Sequence, residues 1–121
     1  MYSAEVLDHF EHPRNGGVLS DADASAQMEN PACGDTLRLM LKMSAGRIVA
    51  MRFLARGCVP VMACGSALTE LVQGRTIAEA RRLSREELLR AVGGLPAASQ
   101  HASHLALDTL AAVLAKLNGK S

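Results

Sequence analysis

Aromatic side chains are scarce in this chain of 121 residues, which has no tryptophan, one tyrosine and two phenylalanines. Proteins that bind single-stranded nucleic acid stack the bases on aromatic rings, and three separate rings offer no such platform. An excess of charge of one sign is also missing, since 13 basic residues stand against 12 acidic ones and the formal net charge is +1. No strong positive field attracts a phosphate backbone. We therefore expect no nucleic-acid partner.

Long hydrophobic runs are absent as well. No stretch approaches the roughly 20 apolar residues that a membrane-spanning helix requires. The first residues, MYSAEVLDHFEHPRN, contain no basic segment followed by an apolar one, so we expect neither a signal peptide nor a transit peptide. These observations predict a cytoplasmic protein without a membrane partner. The length and the hydrophobic fraction of 49% predict one domain over residues 1–121.

Cysteines are few and odd in number, at Cys33, Cys58 and Cys64. In a reducing compartment, three cysteines are better interpreted as free thiols or metal ligands than as a disulfide framework. The place of each thiol in the fold is therefore informative.

The first thirty residues predict a short helix followed by an irregular connection. Ser3 precedes apolar residues at helical spacing, and a His-Pro pair ends the run. We expect His9 and His12 of this helix to face solvent. Residues 14–30 are rich in glycine, aspartate and small polar residues, which indicates an irregular segment with a short edge strand near Gln27.

Two segments alternate between apolar and polar residues with the period of a β-strand. Residues 36–43, TLRLMLKM, place three leucines on one face. Residues 47–57, RIVAMRFLARG, follow a turn at residues 44–46 and predict the second strand of an antiparallel hairpin. Strict alternation in this second strand predicts two opposite sets of side chains: Ile48, Ala50 and Arg52 against Val49, Met51 and Phe53.

The remainder of the chain predicts helices. Pro60 suits the first turn of a helix, and Gly74 ends that helix. Two shorter helices begin after Thr76 and Ser84, each with a glutamate three residues later as in a capping box. Residues 100–117 predict a last amphipathic helix. The order of elements predicts an α+β fold, a small antiparallel three-stranded sheet with about five helices packed against it.

Four side chains of metal-ligand type stand at the predicted junctions between elements: Cys33, Asp35, Cys58 and His101. Cys33 and Asp35 project to one side of an extended segment. Cys58 stands at a helix start, where free N–H groups and the helix dipole favour a thiolate. Two thiolates, a carboxylate and an imidazole make a tetrahedral set for zinc, copper(I) or iron-sulfur chemistry. The alternative, that the cysteines are small buried hydrophobes, stays open.

Several segments in unbroken order resemble the IscU/NifU-type scaffolds of iron-sulfur cluster assembly. They are DHFEHPRN (8–15), PACGD (31–35), RFLARGC (52–58), ALTELVQGRT (67–76), LP (95–96) and HASHLALD (101–108). The resemblance spans nearly the whole chain and implies the fold of the IscU/NifU N-terminal domain. It also implies a scaffold that receives sulfur from a cysteine desulfurase, binds iron, builds a 2Fe-2S cluster and transfers it to apo iron-sulfur proteins. Such a scaffold is not an enzyme, because it has no turnover of its own.

Carried over position by position, the resemblance implies that Cys33, Asp35, Cys58 and His101 bind the cluster or its iron. Asp35 matches the acidic residue that the family has beside its first cysteine. A hard carboxylate oxygen suits an iron-sulfide core less well than a fourth thiolate, so it keeps the cluster releasable. Zinc is a further candidate metal for the same residues in the isolated protein.

The chain departs from the family where a third cysteine would follow the histidine, because Ala102 stands there. A methyl group neither ligates iron nor accepts a persulfide. Cys64 either replaces this ligand or is a buried structural thiol, and the net turn of about 240° between Cys58 and Cys64 on a regular helix favours the second. His104 is either an auxiliary ligand or part of an ordinary helical pair with Asp108.

A second departure concerns the loop before the last helix. Only Leu95-Pro96 remains of the chaperone-recognition motif of the family, so interaction with a dedicated Hsp70-type chaperone is doubtful. Two functions compete: a cluster scaffold or carrier, and a zinc-binding or regulatory paralogue that no longer assembles clusters. An enzyme with a Cys-His nucleophile and base lacks support, since the sequence shows no oxyanion-forming loop or substrate pocket.

Overall fold

A three-stranded sheet covered on one face by helices forms the described part of the chain. The computed structural model describes residues 2–31 and 34–117. The elements follow in the order α1 (Ala4–Glu11), β1 (Ala24–Asn30), β2 (Asp35–Ser44), β3 (Arg47–Arg56), α2 (Val59–Val72), α3 (Ile77–Arg81), α4 (Arg85–Ala91), a 3-10 turn (Ala97–Ser99) and α5 (His101–Ala115). The predicted α+β fold is confirmed, and the short edge strand expected near Gln27 is the seven-residue β1.

The sheet is antiparallel throughout, in the order β1-β2-β3. Its inner face carries the leucines of β2, which are fully buried and pack with residues of α2 and α5. Helix α1 packs on the outside of α2. The alternating pattern of β2 therefore reports a sheet with one buried face, as the sequence predicts.

The hairpin between β2 and β3 closes through a turn at Ala45 and Gly46. Both residues have positive φ, 51° and 78°. Two successive residues with positive φ are the mark of a type I′ turn, whose twist matches that of the paired strands. The predicted antiparallel hairpin is confirmed.

A β-bulge corrects the predicted faces at the start of β3. Lys42 pairs with Ala50 and Met43 pairs with Ile48, so Val49 is an extra residue opposite the β2 strand. Ile48 is consequently buried and Val49 is exposed, whereas strict alternation had placed Val49 with Met51 and Phe53. The extra residue therefore changes the predicted faces of Ile48 and Val49, whereas Met51 and Phe53 keep theirs.

His9 is buried, and the expectation that it faces solvent is wrong. Helix α1 docks on α2 through the face that carries Val6 and His9, and His9 Nδ1 lies 2.8 Å from the Ser66 hydroxyl. Burial, reinforced by the charge of Arg14, holds the pKa of His9 below its ordinary value. The imidazole is thus a neutral core group. His12 is exposed, as expected.

Both predicted capping boxes are present. The Thr76 hydroxyl accepts a hydrogen bond from the Glu79 backbone N–H, and the Glu79 carboxylate accepts one from the Thr76 backbone N–H. Ser84 and Glu87 form the same reciprocal pair. These reciprocal bonds satisfy the first free N–H groups of α3 and α4. Within the described ranges, no helix combines the length and the apolar character needed to cross a membrane.

The contact between α2 and β3 is close because Gly65 faces Phe53. A Cβ built at Gly65 would lie 2.8 Å from Phe53 Cδ2, too near for any ordinary contact. A glycine in a helix interior costs about 1 kcal/mol relative to alanine. Tight packing of the helix on the sheet therefore outweighs local helix propensity at this position.

We predict that Gly65→Ala destabilises the fold by about 1–3 kcal/mol, because overpacking at Phe53 exceeds the gain in helix propensity. Denaturant unfolding measures the change. Gly16→Ala is the matched control, since its Cβ would meet Phe53 Cε1 at an ordinary 3.9 Å. Equal stability of the Gly65→Ala protein and the parent would contradict this account of the packing.

Candidate metal centre

Three of the four predicted ligands lie together at one end of the sheet. Asp35 is the first residue of β2, Cys58 is the N-cap of α2 and His101 is the first residue of α5. One ligand atom of each lies within 4.8 Å of the other two. Three different junctions between elements thus converge on a single point.

The three side chains contact one another directly. His101 Nε2 lies 3.1 Å from Asp35 Oδ2, and Cys58 Sγ lies 3.6 Å from the same oxygen. Cys58 Sγ is also 3.8 Å from His101 Nε2. A thiol, a carboxylate and an imidazole at these separations fit the donor set of a zinc or iron site with a remaining open position.

Strand pairing and a glycine bring Asp35 against Cys58. Thr36 pairs with Arg56, so the start of β2 lies beside the end of β3, where Gly57 leads into α2. Gly57 has a φ of +125°, and a Cβ there would lie 2.0 Å from Asp35 Oδ1. Only glycine leaves room for the carboxylate at this junction.

The Asp35 carboxylate is almost fully buried, with 2% of its side chain exposed. Its Oδ1 accepts the backbone N–H of Cys58 at 3.0 Å. The carboxylate also lies at the N-terminal end of α2, where the helix dipole favours negative charge. These two interactions offset the cost of burying a carboxylate, while Oδ2 remains directed at Cys58 and His101.

Cys58 is held as a thiol, which corrects the expectation of a thiolate at the helix start. Burial raises the pKa of the Cys58 thiol above its ordinary value, and the charge of Asp35 raises it further. The backbone N–H of Val61 acts in the opposite direction and is outweighed. The nearby carboxylate cancels the effect of the helix end that the sequence pattern indicated.

The start of α5 is anchored by side chains rather than by its own cap. Gln100, the N-cap, makes no capping hydrogen bond through its side chain. Arg85 of α4 instead donates to Ser103 Oγ at 3.2 Å and to Gln100 Oε1, on either side of His101. Arg85 thereby helps to position the histidine, a role that the sequence pattern did not indicate.

The remaining candidates stand apart from this group. Cys33 lies outside the described residues. Cys64 is fully buried in α2, and burial raises the pKa of its thiol to about 12. His104 is exposed on α5. Within the ranges 2–31 and 34–117, neither Cys64 nor His104 belongs to the ligand group.

Gly57 was missed as a functional residue by sequence reasoning, which used it only to mark the end of a strand. The available signal was its position directly before a candidate ligand. A glycine at such a junction indicates a close approach of another group to the backbone.

We predict that Gly57→Ala displaces Asp35 and weakens cobalt(II) binding at this centre by about tenfold or more. Thiolate-to-cobalt absorption measures the affinity. Gly74→Ala is the matched control, since Gly74 also has a positive φ, +91°, but no atom stands within 4 Å of its added Cβ. Equal loss of affinity in both variants would show that backbone strain, not the Asp35 clash, is responsible.

We predict that Cys64 is unreactive in the native protein, because its thiol is buried and has a pKa of about 12. A disulfide reagent at pH 8 should count the same number of native thiols in the parent and in Cys64→Ser. Unfolding should then reveal one additional thiol in the parent only. A lower native count for Cys64→Ser would mean that this sulfur reaches the surface; Cys58→Ser is the control that should lower it.

Comparison with known proteins identifies the family of the chain. Residues 1–121 match the family model of the NifU-like N terminal domain. The iron-sulfur cluster assembly scaffold protein IscU 1 of Archaeoglobus fulgidus is 42% identical over 110 residues, which cover 91% of this chain and 72% of the relative. Its counterpart IscU from Aquifex aeolicus is 41% identical over 111 residues, which cover 90% and 71%.

A solved structure shows the same fold. The crystal structure of a nitrogen-fixing NifU-like protein (N-terminal) from Brucella abortus matches with a TM-score of 0.77 and 20% identity, over 98% of this chain and 95% of that one. The family match over the whole length, the identity of the relatives and the shared fold lead to one conclusion. The chain belongs to the family of NifU-like N terminal domains.

Proposed function

We propose that this protein is a scaffold for iron-sulfur cluster assembly, formed as a single domain over residues 1–121. The observation that carries the proposal is the convergence of Asp35, Cys58 and His101 at one partly exposed point. Relatives that are more than 40% identical are named cluster assembly scaffold proteins, and a scaffold is not a catalyst. The cluster is therefore cargo, which the protein holds and then releases.

The donor set suits a cargo that must leave again. Thiolate sulfur matches an iron-sulfide core well, whereas carboxylate oxygen matches it less well. Cys58 and His101 are partly exposed, so an incoming or outgoing group has access to them, while Asp35 lies behind them. We assign Cys33, Asp35, Cys58 and His101 as the ligands of a 2Fe-2S cluster or of iron, with Cys33 as the fourth.

The protonated state of Cys58 couples binding to pH. A thiol must lose its proton before it ligates iron or zinc, and a raised pKa makes that loss less favourable near neutral pH. Metal binding therefore releases a proton and weakens as the pH falls. The acceptor within reach of the Cys58 thiol is Asp35 Oδ2, at 3.6 Å, and His101 Nε2 lies 3.1 Å from the same oxygen.

The partners follow from the same function. A scaffold without sulfur of its own takes it from a cysteine desulfurase and gives clusters to apo iron-sulfur proteins. Cys58 is half-buried and reachable, whereas Cys64 is sealed in the core, so Cys64 does not serve as the sulfur acceptor. Leu95, which remains of the chaperone motif, is also buried in the core, which supports the doubt about a dedicated Hsp70-type chaperone.

A zinc-binding or regulatory paralogue is the second candidate. One carboxylate, one thiol and one imidazole leave a fourth position open, as zinc sites do when they bind water or a further ligand. Ala102 offers no sulfur at the position of the third family cysteine. Both features would equally suit a protein that keeps the site for zinc alone.

Anaerobic reconstitution separates the two functions. The protein is incubated with iron, cysteine and a cysteine desulfurase, and visible absorption with iron and sulfide analysis reports the cluster. We expect a cluster in the parent and in Cys64→Ser, and complete loss in Cys58→Ser. Tight zinc binding with no absorption above that of free iron sulfide would instead favour the paralogue.

Asp35→Asn tests the role of the carboxylate. The amide oxygen keeps an acceptor for the Cys58 N–H, while the charge beside the thiol disappears. We predict that the cluster survives severalfold longer in the presence of an apo-acceptor, because the carboxylate promotes release. The decay of cluster absorbance is the measurement, and unfolding by denaturant confirms that the fold is intact. A shorter lifetime in Asp35→Asn would show that the carboxylate retains the cluster.

A further inference from the structure

The outer face of the sheet carries three arginines around one exposed leucine. Helices α2 and α5 cover the opposite face, which holds the buried leucines of β2. On the outer face, Leu54 pairs with Arg38 across the strands, and Arg52 and Arg56 stand two residues to either side of Leu54. All three arginines are exposed, and 40% of Leu54 is exposed. We call these four residues the arginine face.

The arginines of this face have no acidic partner within the described part of the chain. Arg38 donates to the Ser25 hydroxyl at 3.0 Å, and Arg52 reaches the Gly16 carbonyl at 3.5 Å. Both acceptors are neutral, and among the described residues the Arg56 side chain has no hydrogen bond or ion pair.

Some other arginines of the protein are paired with acidic side chains. Within the described ranges, Arg14, Arg47 and Arg75 each lie within 4 Å of a carboxylate, and on the outer face itself Lys42 is paired with Asp21. Within the same ranges Arg82, Arg85 and Arg90 also lack an ion pair, but they lie at the end of α3 and on α4, whereas Arg38, Arg52 and Arg56 stand together on one face of the sheet. The one acidic residue that β1, β2 and β3 place on this side is Glu29. It stands two strands from Arg56, about 10 Å away, and diagonally across from Arg38, but no ion pair joins it to either arginine in the described part of the chain.

A concentration of unpaired positive charge is notable in a chain whose net charge is only +1. Residues two apart on a strand lie on the same face, about 7 Å from each other, so the three guanidinium groups repel one another. An arriving carboxylate relieves that repulsion. Arginine is enriched in protein interfaces, and an apolar residue with a polar surround is the usual anatomy of an interface.

The arginine face continues to the metal centre. Arg56 precedes Gly57 and Cys58 directly, and its pairing partner Thr36 follows Asp35. A molecule that covers the end of this face therefore stands beside the site without occupying it.

We infer that the arginine face is a docking surface for an acidic protein, whose carboxylates pair with Arg38, Arg52 and Arg56 while an apolar side chain packs on Leu54. A protein fits better than a nucleic acid. The chain as a whole lacks the positive charge that phosphate binding exploits, and the centre of the face is an aliphatic side chain rather than an aromatic ring. The inference depends on this face alone and not on the cargo of the metal centre.

The test adds the peptide acetyl-Glu-Glu-Leu-Glu-Glu-amide to the whole protein as the probe. Nitrogen-proton correlation NMR spectra of the protein then monitor the binding. We expect peptide-dependent shifts at residues of the arginine face and of the strands around it, at low salt. They should vanish at about 1 M salt, where the Debye length is about 3 Å. The side-chain Nε–H signals of the ion-paired Arg47 and Arg75 should not move.

Two variants and one control sharpen the result. Arg38→Glu should weaken peptide binding by about tenfold, because a carboxylate then faces a carboxylate. Arg82→Glu changes the net charge equally but lies exposed at the end of α3, so it should have little effect. Leu54→Lys adds positive charge and removes the apolar centre; weaker binding supports the proposed contact, and stronger binding overturns it.

Three further outcomes would overturn the inference. They are the absence of shifts at the arginine face, equal weakening by Arg38→Glu and Arg82→Glu, and tighter binding of a DNA oligonucleotide than of the peptide at the same face. Retained dispersion of the amide signals shows that each variant is folded. Cobalt(II) binding should be the same in Arg38→Glu and the parent, so failure of the docking inference is distinguishable from failure of the proposed function.

Discussion

The hydrogen bond between the Cys58 N–H and the Asp35 carboxylate is the contact on which the metal centre depends. It joins the first residue of β2 to the N-cap of α2 and fixes a buried negative charge beside a thiol. It is possible only because Gly57 lacks a Cβ. One backbone group therefore serves two purposes: it stabilises a carboxylate that would otherwise be costly to bury, and it sets the distance between two ligand atoms.

The same contact explains why Cys58 differs from a typical cysteine at a helix start. A helix N-terminus alone lowers the pKa of a thiol, but here the N–H of Cys58 is bonded to a carboxylate, and partial burial together with the charge of Asp35 raises the pKa of the Cys58 thiol. When no metal is bound, the Cys58 sulfur is therefore in its uncharged thiol form and the negative charge of the site lies on Asp35. The negative carboxylate attracts a cation to the site, and the thiol loses its proton on binding.

Much of the fold could be predicted from local patterns, because those patterns have local causes. The capping boxes at Thr76 and Ser84 require residues only three apart, and the buried face of β2 follows from alternation within eight residues. The exceptions depend on contacts between distant segments. His9 is buried because α1 docks on α2, and Val49 is exposed because the pairing slips by one residue; neither event leaves a mark in the neighbouring sequence. The effect of Asp35 on Cys58 likewise joins residues 23 apart.

The three ligands of the centre are positioned by contacts of different kinds. Asp35 and Cys58 share a hydrogen bond and lie beside Thr36 and Arg56, which pair directly. His101 instead begins a helix whose N-cap side chain makes no capping bond, and Arg85 from α4 supplies the anchorage through Gln100 and Ser103. Because α5 is a separate element that packs on β1 and β2, the distance from His101 to the other two ligands depends on that packing as well as on the contact of His101 with Asp35 Oδ2 at 3.1 Å. A site built in this way fixes two ligands through one backbone hydrogen bond and adds the third from another element, an arrangement that suits a protein that must both hold a cargo and give it up.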